Sequence, residues 1–395
     1  MMIQAVLGNP NHPEYGVATI PFPIPRDQYA HCMELLEALE IGDAVKADCK
    51  VEEVDSFFSV LKHTEMLTVN VEELNYLAKR LDSFDTGEAA QFQAMAHKLE
   101  LFELKDLINL TFCCQQATVI TDFSDLAAVG RDHYMNLHGG SASVDELNKL
   151  DSEETARRLI ESGGGTITPY GVVYDNGMKL EQVYDGRFFP CYYYEPNAIT
   201  VAVTSKAEPE DTEHITWLFL PMVQEEIDRA LLRGGITDPS EIRLSLEDSW
   251  LPHEVLDLLD MDHVDISELN ALVQALDEFS DMSIRKYAAA AVMARPHTTE
   301  QAKHLAENLD LFDFAPSAST PEEYGKYMIQ QSGHFDYDEN LDAFYDYEKY
   351  GTERMNAEDG MFTDRGYIAY KGYISMEEVM NGSQSSHMVM GGLSR

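Results

Sequence analysis

The sequence predicts an α+β fold. It describes an elongated multi-module chain, internally duplicated, in which small antiparallel sheets with helices alternate with short helical bundles. Three observations predict this. The chain repeats itself at an offset of 195 residues. Short β-type runs and amphipathic helices follow in the same order in both halves. The chain has 395 residues, 44% of them hydrophobic, which is too long for one ordinary core and apolar enough for several.

Each half opens on a strand, MIQAVLG (2–8) and ITVAVTS (199–205). A polar turn follows, NPNHPEYG and KAEPEDTEH, and then a second strand, VATIPFPI (17–24) and ITWLFLPM (215–222). Next comes an amphipathic helix, Asp27–Leu39 and Gln224–Leu232, stopped by Gly42 and by Gly234–Gly235. A third strand or irregular acidic stretch leads into the helix that carries the repeat. There VEELNYLAKRLDSF (71–84) aligns with ISELNALVQALDEF (266–279). Val71, Leu74, Leu77, Ala78, Leu81 and Phe84 match Ile266, Leu269, Leu272, Val273, Leu276 and Phe279, and their spacing marks one face of a helix. Asn75 matches Asn270 and Asp82 matches Asp277. Asn70 and Asp265 are N-cap residue types, with Glu73 and Glu268 placed for a capping box. Phe92 meets Tyr287 and Gly130 meets Gly325 at the same offset.

The parts after these helices differ most. In the first half Thr166–Tyr174 and Phe188–Tyr194 read as strands around the turn Asp175-Asn176-Gly177. In the second, Ala343–Tyr350 is rich in tyrosine and acids, and Gly366–Tyr373 reads as a strand. The implied division is front α+β modules at 1–69 and 197–264, helical modules at 70–118 and 265–312, and back α+β modules at 119–196 and 313–380. A low-complexity tail follows, 381–395.

Charge narrows the function. Asp plus Glu total 70 and Lys plus Arg 28, a net −42. Residues 1–200 hold 32 acids and 14 bases, and residues 201–395 hold 38 and 14. The excess is a distributed surface property and not a tail. It excludes direct binding of nucleic-acid phosphates, which requires a basic surface. It argues against anionic lipid for the same reason. A basic protein partner, a cation buffer or halophilic solvation remain. Five cysteines with no C-x-x-C read as a reduced cytosolic inventory. No signal peptide or membrane span is expected, so the protein reads as soluble and cytoplasmic.

Catalytic motifs are missing: no P-loop, no H-E-x-x-H and no G-x-S-x-G occurs. DMDHVD (260–265) reads as helix capping before it reads as a metal site. DYDENLD (336–342) places Asp336, Asp338 and Asn340 at EF-hand positions but lacks the glycine and the bidentate glutamate. The expectation is no enzyme, no metal and no cofactor.

Duplex DNA carries a charge every ~1.7 Å, so this excess laid out at that density covers roughly 70 Å, or about 20 base pairs. An acidic body of that length can offer a DNA-binding groove the field the groove was built for. Tyrosines interleaved with acids, as in FYDYEKY (344–350), either add rigid contact area or form a half-buried strand with the tyrosines inward.

Several motifs resemble the ArdA-type antirestriction proteins, acidic DNA mimics carried by mobile elements. They are AVLGNPNHPEYGVATIPFPI at the start, the helices EELNYLAKRL and SELNALVQAL, and DYEKYGTERMNAEDGMFTDRGYIAY (346–370). The resemblance implies a bent, elongated dimer without a cofactor. Such a protein occupies the DNA-binding core of Type I restriction–modification enzymes and blocks restriction and often modification. The tandem copies would then let one chain act as a pseudo-dimer, or two chains form a homodimer. YGVVYDNG and RFFPCYYYE in the first back module fit the pattern poorly. The acids expected to contact the target are Glu339, Asp342, Asp346, Glu348, Glu353, Glu358, Asp359 and Asp364. The alternative is an acidic scaffold or adaptor for another basic DNA-binding protein.

Overall fold

The computed structural model describes residues 2–207, 213–260, 263–316 and 318–382. The tail beyond 382, and Met261 and Asp262 of the 260–265 motif, lie outside the described residues. The chain divides into two compact units. One comprises 1–196, 211–217 and 223–237; the other comprises 197–210, 218–222 and 238–395.

The front sheet of the first unit is built from β1 (Ile3–Gly8), β2 (Val17–Phe22), β3 (Cys49–Asp55) and β4 (Thr68–Val69) in the order β2-β1-β3-β4. Ile3, Ala5 and Leu7 alternate inward and are fully buried. They face α1 (Tyr29–Ala38), whose Tyr29, Met33 and Leu36 form its buried stripe. A second sheet has the same strand plan: β8 (Ile199–Ser205), β9 (Thr216–Leu220) and β10 (Ile242–Ser249), ordered β10-β8-β9. Each third strand bulges and leaves a glutamate out of register, Glu52 in β3 and Glu247 in β10. The stretch the sequence left between strand and irregular chain is therefore a strand in both halves.

The helical modules are α2 (Val71–Asp82), α3 (Thr86–Leu99) and α4 (Leu104–Leu110), and α10 (Ile266–Leu276), α11 (Asp281–Ala294) and α12 (Thr299–Glu307). α9 (His253–Leu256) precedes the second set. The matched apolar positions of α2 and α10 are all buried. Each such valine, leucine or isoleucine contributes ~1.5–3 kcal/mol by leaving water. Asn70 and Asp265 are N-caps, each accepting from two backbone N–H groups. The capping boxes do not close. Glu73 instead accepts from the Tyr184 hydroxyl at 2.8 Å, and Glu268 from the Thr299 hydroxyl at 2.6 Å. Tertiary donors outbid the return bond to the cap. Asn75 and Asn270 are buried and do the same work: each accepts at 2.9 Å from a backbone N–H, of Ile24 and of Met222. Phe92 and Tyr287 pack edge-on against Phe84 and Phe279 at 6.1 and 6.2 Å.

The back modules hold β5 (Thr118–Ile120), α5 (Leu126–Leu137), α6 (Val144–Lys149), α7 (Ser152–Glu161), β6 (Thr166–Thr168) and β7 (Gly171–Tyr174) in the first half. The second half holds β11 (Phe312–Pro316), α13 (Pro321–Gln330), α14 (Tyr347–Ala357), β12 (Asp359–Thr363) and β13 (Gly366–Tyr370), followed by α15 (Met376–Met380). Both sheets are antiparallel with the last strand central, β5-β7-β6 and β11-β13-β12. Their registers coincide at the repeat offset. Val119 pairs with Val173 as Phe314 pairs with Ile368, and Thr168 pairs with Gly171 as Thr363 pairs with Gly366. Both hairpin turns are tied alike, with the Thr168 and Thr363 hydroxyls donating at 2.8 Å to the Gly171 and Gly366 carbonyls. Gly130 and Gly325 are helix crossings. An added Cβ would lie 1.8 Å from the Ser152 carbonyl oxygen and 2.1 Å from that of Tyr347. These modules look most divergent in sequence, yet their registers and turns correspond residue for residue.

Phe188–Tyr194 is not a strand. It is an irregular strap across α2 in the first unit. Phe189 stacks on Tyr76 with centroids 4.5 Å apart, and the Tyr76 and Tyr192 hydroxyls donate to the Pro190 and Lys79 carbonyls. Side-chain hydroxyls and ring faces take the place of a ladder here.

The first unit also contains α8 (Gln224–Arg233), whose Arg233 is buried in it and whose Arg229 is half-buried. Arg229 donates to Glu72 at 2.6 Å and to the Gly42 carbonyl at 2.8 Å. Burial works most strongly against its charge, but Glu72 and Tyr29 together outweigh it and raise its pKa. Arg233 donates to the carbonyls of Ala44, Gly186 and Arg187, to Asn70 Oδ1 and to the Tyr184 hydroxyl. Its guanidinium stands 4.4 Å from the Phe189 ring centre and 3.7 Å from Glu73. Burial pushes Glu73 up, against the pull of Tyr184 and Arg233.

Candidate functional site: an acidic surface on the second back module

The eight acids singled out in the sequence fall on one continuous segment between α13 and β13. Residues 336–364 carry ten acids (Asp336, Asp338, Glu339, Asp342, Asp346, Glu348, Glu353, Glu358, Asp359 and Asp364) against two bases, Lys349 and Arg354. The segment at the repeat offset in the first half, 141–169, carries six acids (Asp145, Glu146, Asp151, Glu153, Glu154 and Glu161) against Lys149, Arg157 and Arg158. The corresponding helices and sheets thus bear unequal charge.

Local chemistry sets this segment in place. Thr320 caps α13 by accepting from the Glu323 N–H, with Pro321 in the first turn. Gly325 and Gly351 let α13 and α14 cross backbone to backbone; a Cβ on Gly351 would sit 1.8 Å from the Pro321 carbonyl oxygen. Between the helices, Asp338 caps a 3-10 turn, Glu339–Phe344. Asp338 accepts from both the backbone and the side-chain amide of Asn340, so two EF-hand-like positions bond each other. Among the described residues no group of three or more His, Cys, Asp or Glu is placed to hold a metal ion. FYDYEKY forms no strand: it spans the end of the 3-10 turn and the first turn of α14.

The eight acids occupy three different situations. Glu339, Glu348, Glu353, Asp359 and Asp364 are exposed. Asp342 and Asp346 are exposed but committed. Asp346 caps α14 through the Lys349 N–H at 3.0 Å. Asp342 Oδ1 accepts from the hydroxyls of Tyr347 and Tyr337 at 2.5 and 2.7 Å, and from the Gln330 amide at 2.9 Å. Those bonds, led by Tyr347, hold the Asp342 carboxyl below its ordinary range, and the same contact raises Tyr337. Glu358 is half-buried, 2.6 Å from Arg354 Nε and accepting from the Tyr324 hydroxyl at 2.6 Å, so its charge is neutralised inside the module.

Sequence reasoning missed the apolar part of this surface. Phe344 is 83% exposed and Leu341 47%, side by side with the carboxylates. Their signal was present in the 3-10 turn, where neither residue has a helix or sheet face to bury against. Converting Asp342 to asparagine is expected to lower the phenol pKa values of Tyr337 and Tyr347, because the negative charge that opposes their ionisation is gone. Site-resolved NMR titration of ring-labelled tyrosine checks this; unchanged values would show that the three-donor cluster does not form.

The second unit of this multi-module α+β protein thus exposes carboxylates beside isolated apolar side chains. The family model of the antirestriction protein (ArdA) matches residues 212–369, the part of the chain that includes this segment. That stretch of the chain is thus similar to the ArdA antirestriction family. No curated protein matches the chain. Among the described residues no helix is long and apolar enough to cross a membrane.

Proposed function

We propose that the protein is a DNA mimic that occupies the DNA-binding groove of Type I restriction–modification enzymes and blocks restriction, and modification with it. The ten-to-two excess of acids over bases on 336–364, inside the ArdA match, carries this reading. Its exposed carboxylates supply the field of a phosphate backbone, and Phe344 and Leu341 supply contact area between charges. We read the two halves as tandem copies, so that one chain acts as a pseudo-dimer. The coincident strand registers, the paired N-caps and the paired buried asparagines support that reading. The protein acts in the cytoplasm, catalyses nothing, needs no cofactor and does not bind nucleic acid itself.

The test is competition with duplex DNA for a purified Type I enzyme, with cleavage and methylation scored separately. The protein is expected to displace DNA and to lose potency as salt rises. Any one of Glu339, Glu348, Glu353, Asp359 or Asp364 changed to alanine is expected to cost less than about fivefold, because exposed charges each contribute below ~1 kcal/mol. All five together are expected to abolish inhibition. A single alanine that abolished it would rule out a shared-charge mechanism. Binding to the enzyme without displacement of DNA would favour the scaffold reading.

A further inference from the structure

The second unit contains a two-pronged ion pair outside its acidic surface. Arg365 sits in the turn of the β12–β13 hairpin, next to Asp364, and reaches α9. Its Nε donates to Glu254 Oε1 at 2.6 Å and its Nη2 to Glu254 Oε2 at 3.0 Å, a two-pronged bond. The Glu254 side chain is only 9% exposed. Its second neighbour is the exposed His253, 3.3 Å away. The first unit makes the same contact with different chemistry. At the repeat offset stand Tyr170, in the β6–β7 turn, and Ser59, and their hydroxyls meet at 3.0 Å. The tie between hairpin turn and front module thus appears twice. It is neutral beside the segment with six acids, 141–169, and ionic beside the one with ten, 336–364.

That difference has a physical reason. A hydroxyl pair adds no charge and holds two surfaces weakly. A bidentate arginine fixes both distance and orientation. A module crowded with like charges is pushed away from the other acids of its unit, so it needs the stronger tie to hold one orientation.

We propose that Arg365 and Glu254 are positioning residues for inhibition: they hold the hairpin and the carboxylates beside it at the orientation the partner enzyme recognises. The inference rests on the DNA-mimic reading. It makes a prediction opposite in sign to charge alone. Arg365→Ala makes the protein more negative, and charge alone would leave inhibition unchanged or improve it. Positioning predicts a loss of roughly tenfold, the middle of the range for coupled side-chain pairs.

The experiment measures displacement of duplex DNA from a purified Type I enzyme by the full chain and four variants: R365A, E254A, the swap E254R/R365E, and K349A. Hydrogen exchange of 359–370 is followed in parallel. R365A and E254A are expected to lose inhibition about equally and to exchange faster in the hairpin. The swap, which keeps the net charge, is expected to recover most of both. K349A, which removes a base without a partner on α9, is expected to inhibit as well as the unaltered chain. Full inhibition by R365A, or failure of the swap to recover any, overturns the positioning role while leaving the DNA-mimic reading in place. If the unaltered chain does not displace DNA, the reading falls and the inference falls with it.

Discussion

Replacing Arg233 with alanine is expected to destabilise the first unit by about 3–5 kcal/mol, the cost of breaking a buried ionic cluster from one side. A domain holds only about 5–15 kcal/mol in total, so this loss is large. The size follows from what is left behind. Arg233 is 4% exposed and donates to three backbone carbonyls, to Asn70 Oδ1 and to the Tyr184 hydroxyl. Alanine leaves those acceptors without their donor, and it leaves Glu73, already raised by burial, without the Arg233 cation. Lysine is expected to recover little, because one ammonium cannot reach five acceptors set for a planar fork. Urea unfolding followed by tryptophan-independent circular dichroism, with hydrogen exchange of α2, measures it. A shift below ~1 kcal/mol would show that the cluster contributes no net stability.

Gly325→Ala is expected to cost about 3 kcal/mol in the second unit, at the upper end for overpacking. The new Cβ would lie 2.1 Å from the Tyr347 carbonyl oxygen, and backbone cannot rotate away as a side chain can. The helices must separate, and α14 carries Asp346 through Glu353 with it. Antirestriction activity is therefore expected to fall together with stability. Gly130→Ala places the same lesion in the first unit, 1.8 Å from the Ser152 carbonyl oxygen. Its stability cost is expected to be similar, but the segment it displaces has half again as many bases as 336–364 and fewer acids. Inhibition by that variant, measured at a temperature where both remain folded, is expected to stay near normal. Equal losses for both would mean that the two back modules contact the enzyme equally.

Much of the fold is legible along the chain because its signals are local. The apolar spacing of α2 and α10 defines one helix face whatever that face meets. Asn70 and Asp265 cap because the first turn's N–H groups lie within reach of their own side chains. The repeat at 71–84 and 266–279 is also local, and its offset extends to strand pairs such as Val119–Val173 and Phe314–Ile368, which show no sequence likeness beyond being apolar. The capping boxes and the Phe188–Tyr194 strand failed for one reason. Glu73 and the strap's tyrosines have locally plausible partners, but distant ones bind them better: the Tyr184 hydroxyl for Glu73, the Lys79 carbonyl for Tyr192 and Asp82 for Tyr194.

The site divides in the same way. That the carboxylates are many, and concentrated in 336–364, is a property of composition and order. Which of them remain available is not. Glu358 and Glu353 look alike in the sequence, yet Arg354 and Tyr324 consume the first while the second is exposed.

By itself the sequence determined the α+β class, the helix faces and caps, and the excess of acids. These follow from residue type and spacing over one or two turns. Only the tertiary structure decided that α8 lodges its arginines in the first unit, that Arg365 grips Glu254, and that two of the eight predicted acids bond their own module's side chains. Those choices depend on which groups meet across space, and in a chain with 70 acids and 28 bases every base has many possible partners. Spacing along the chain does not rank them; burial and geometry do.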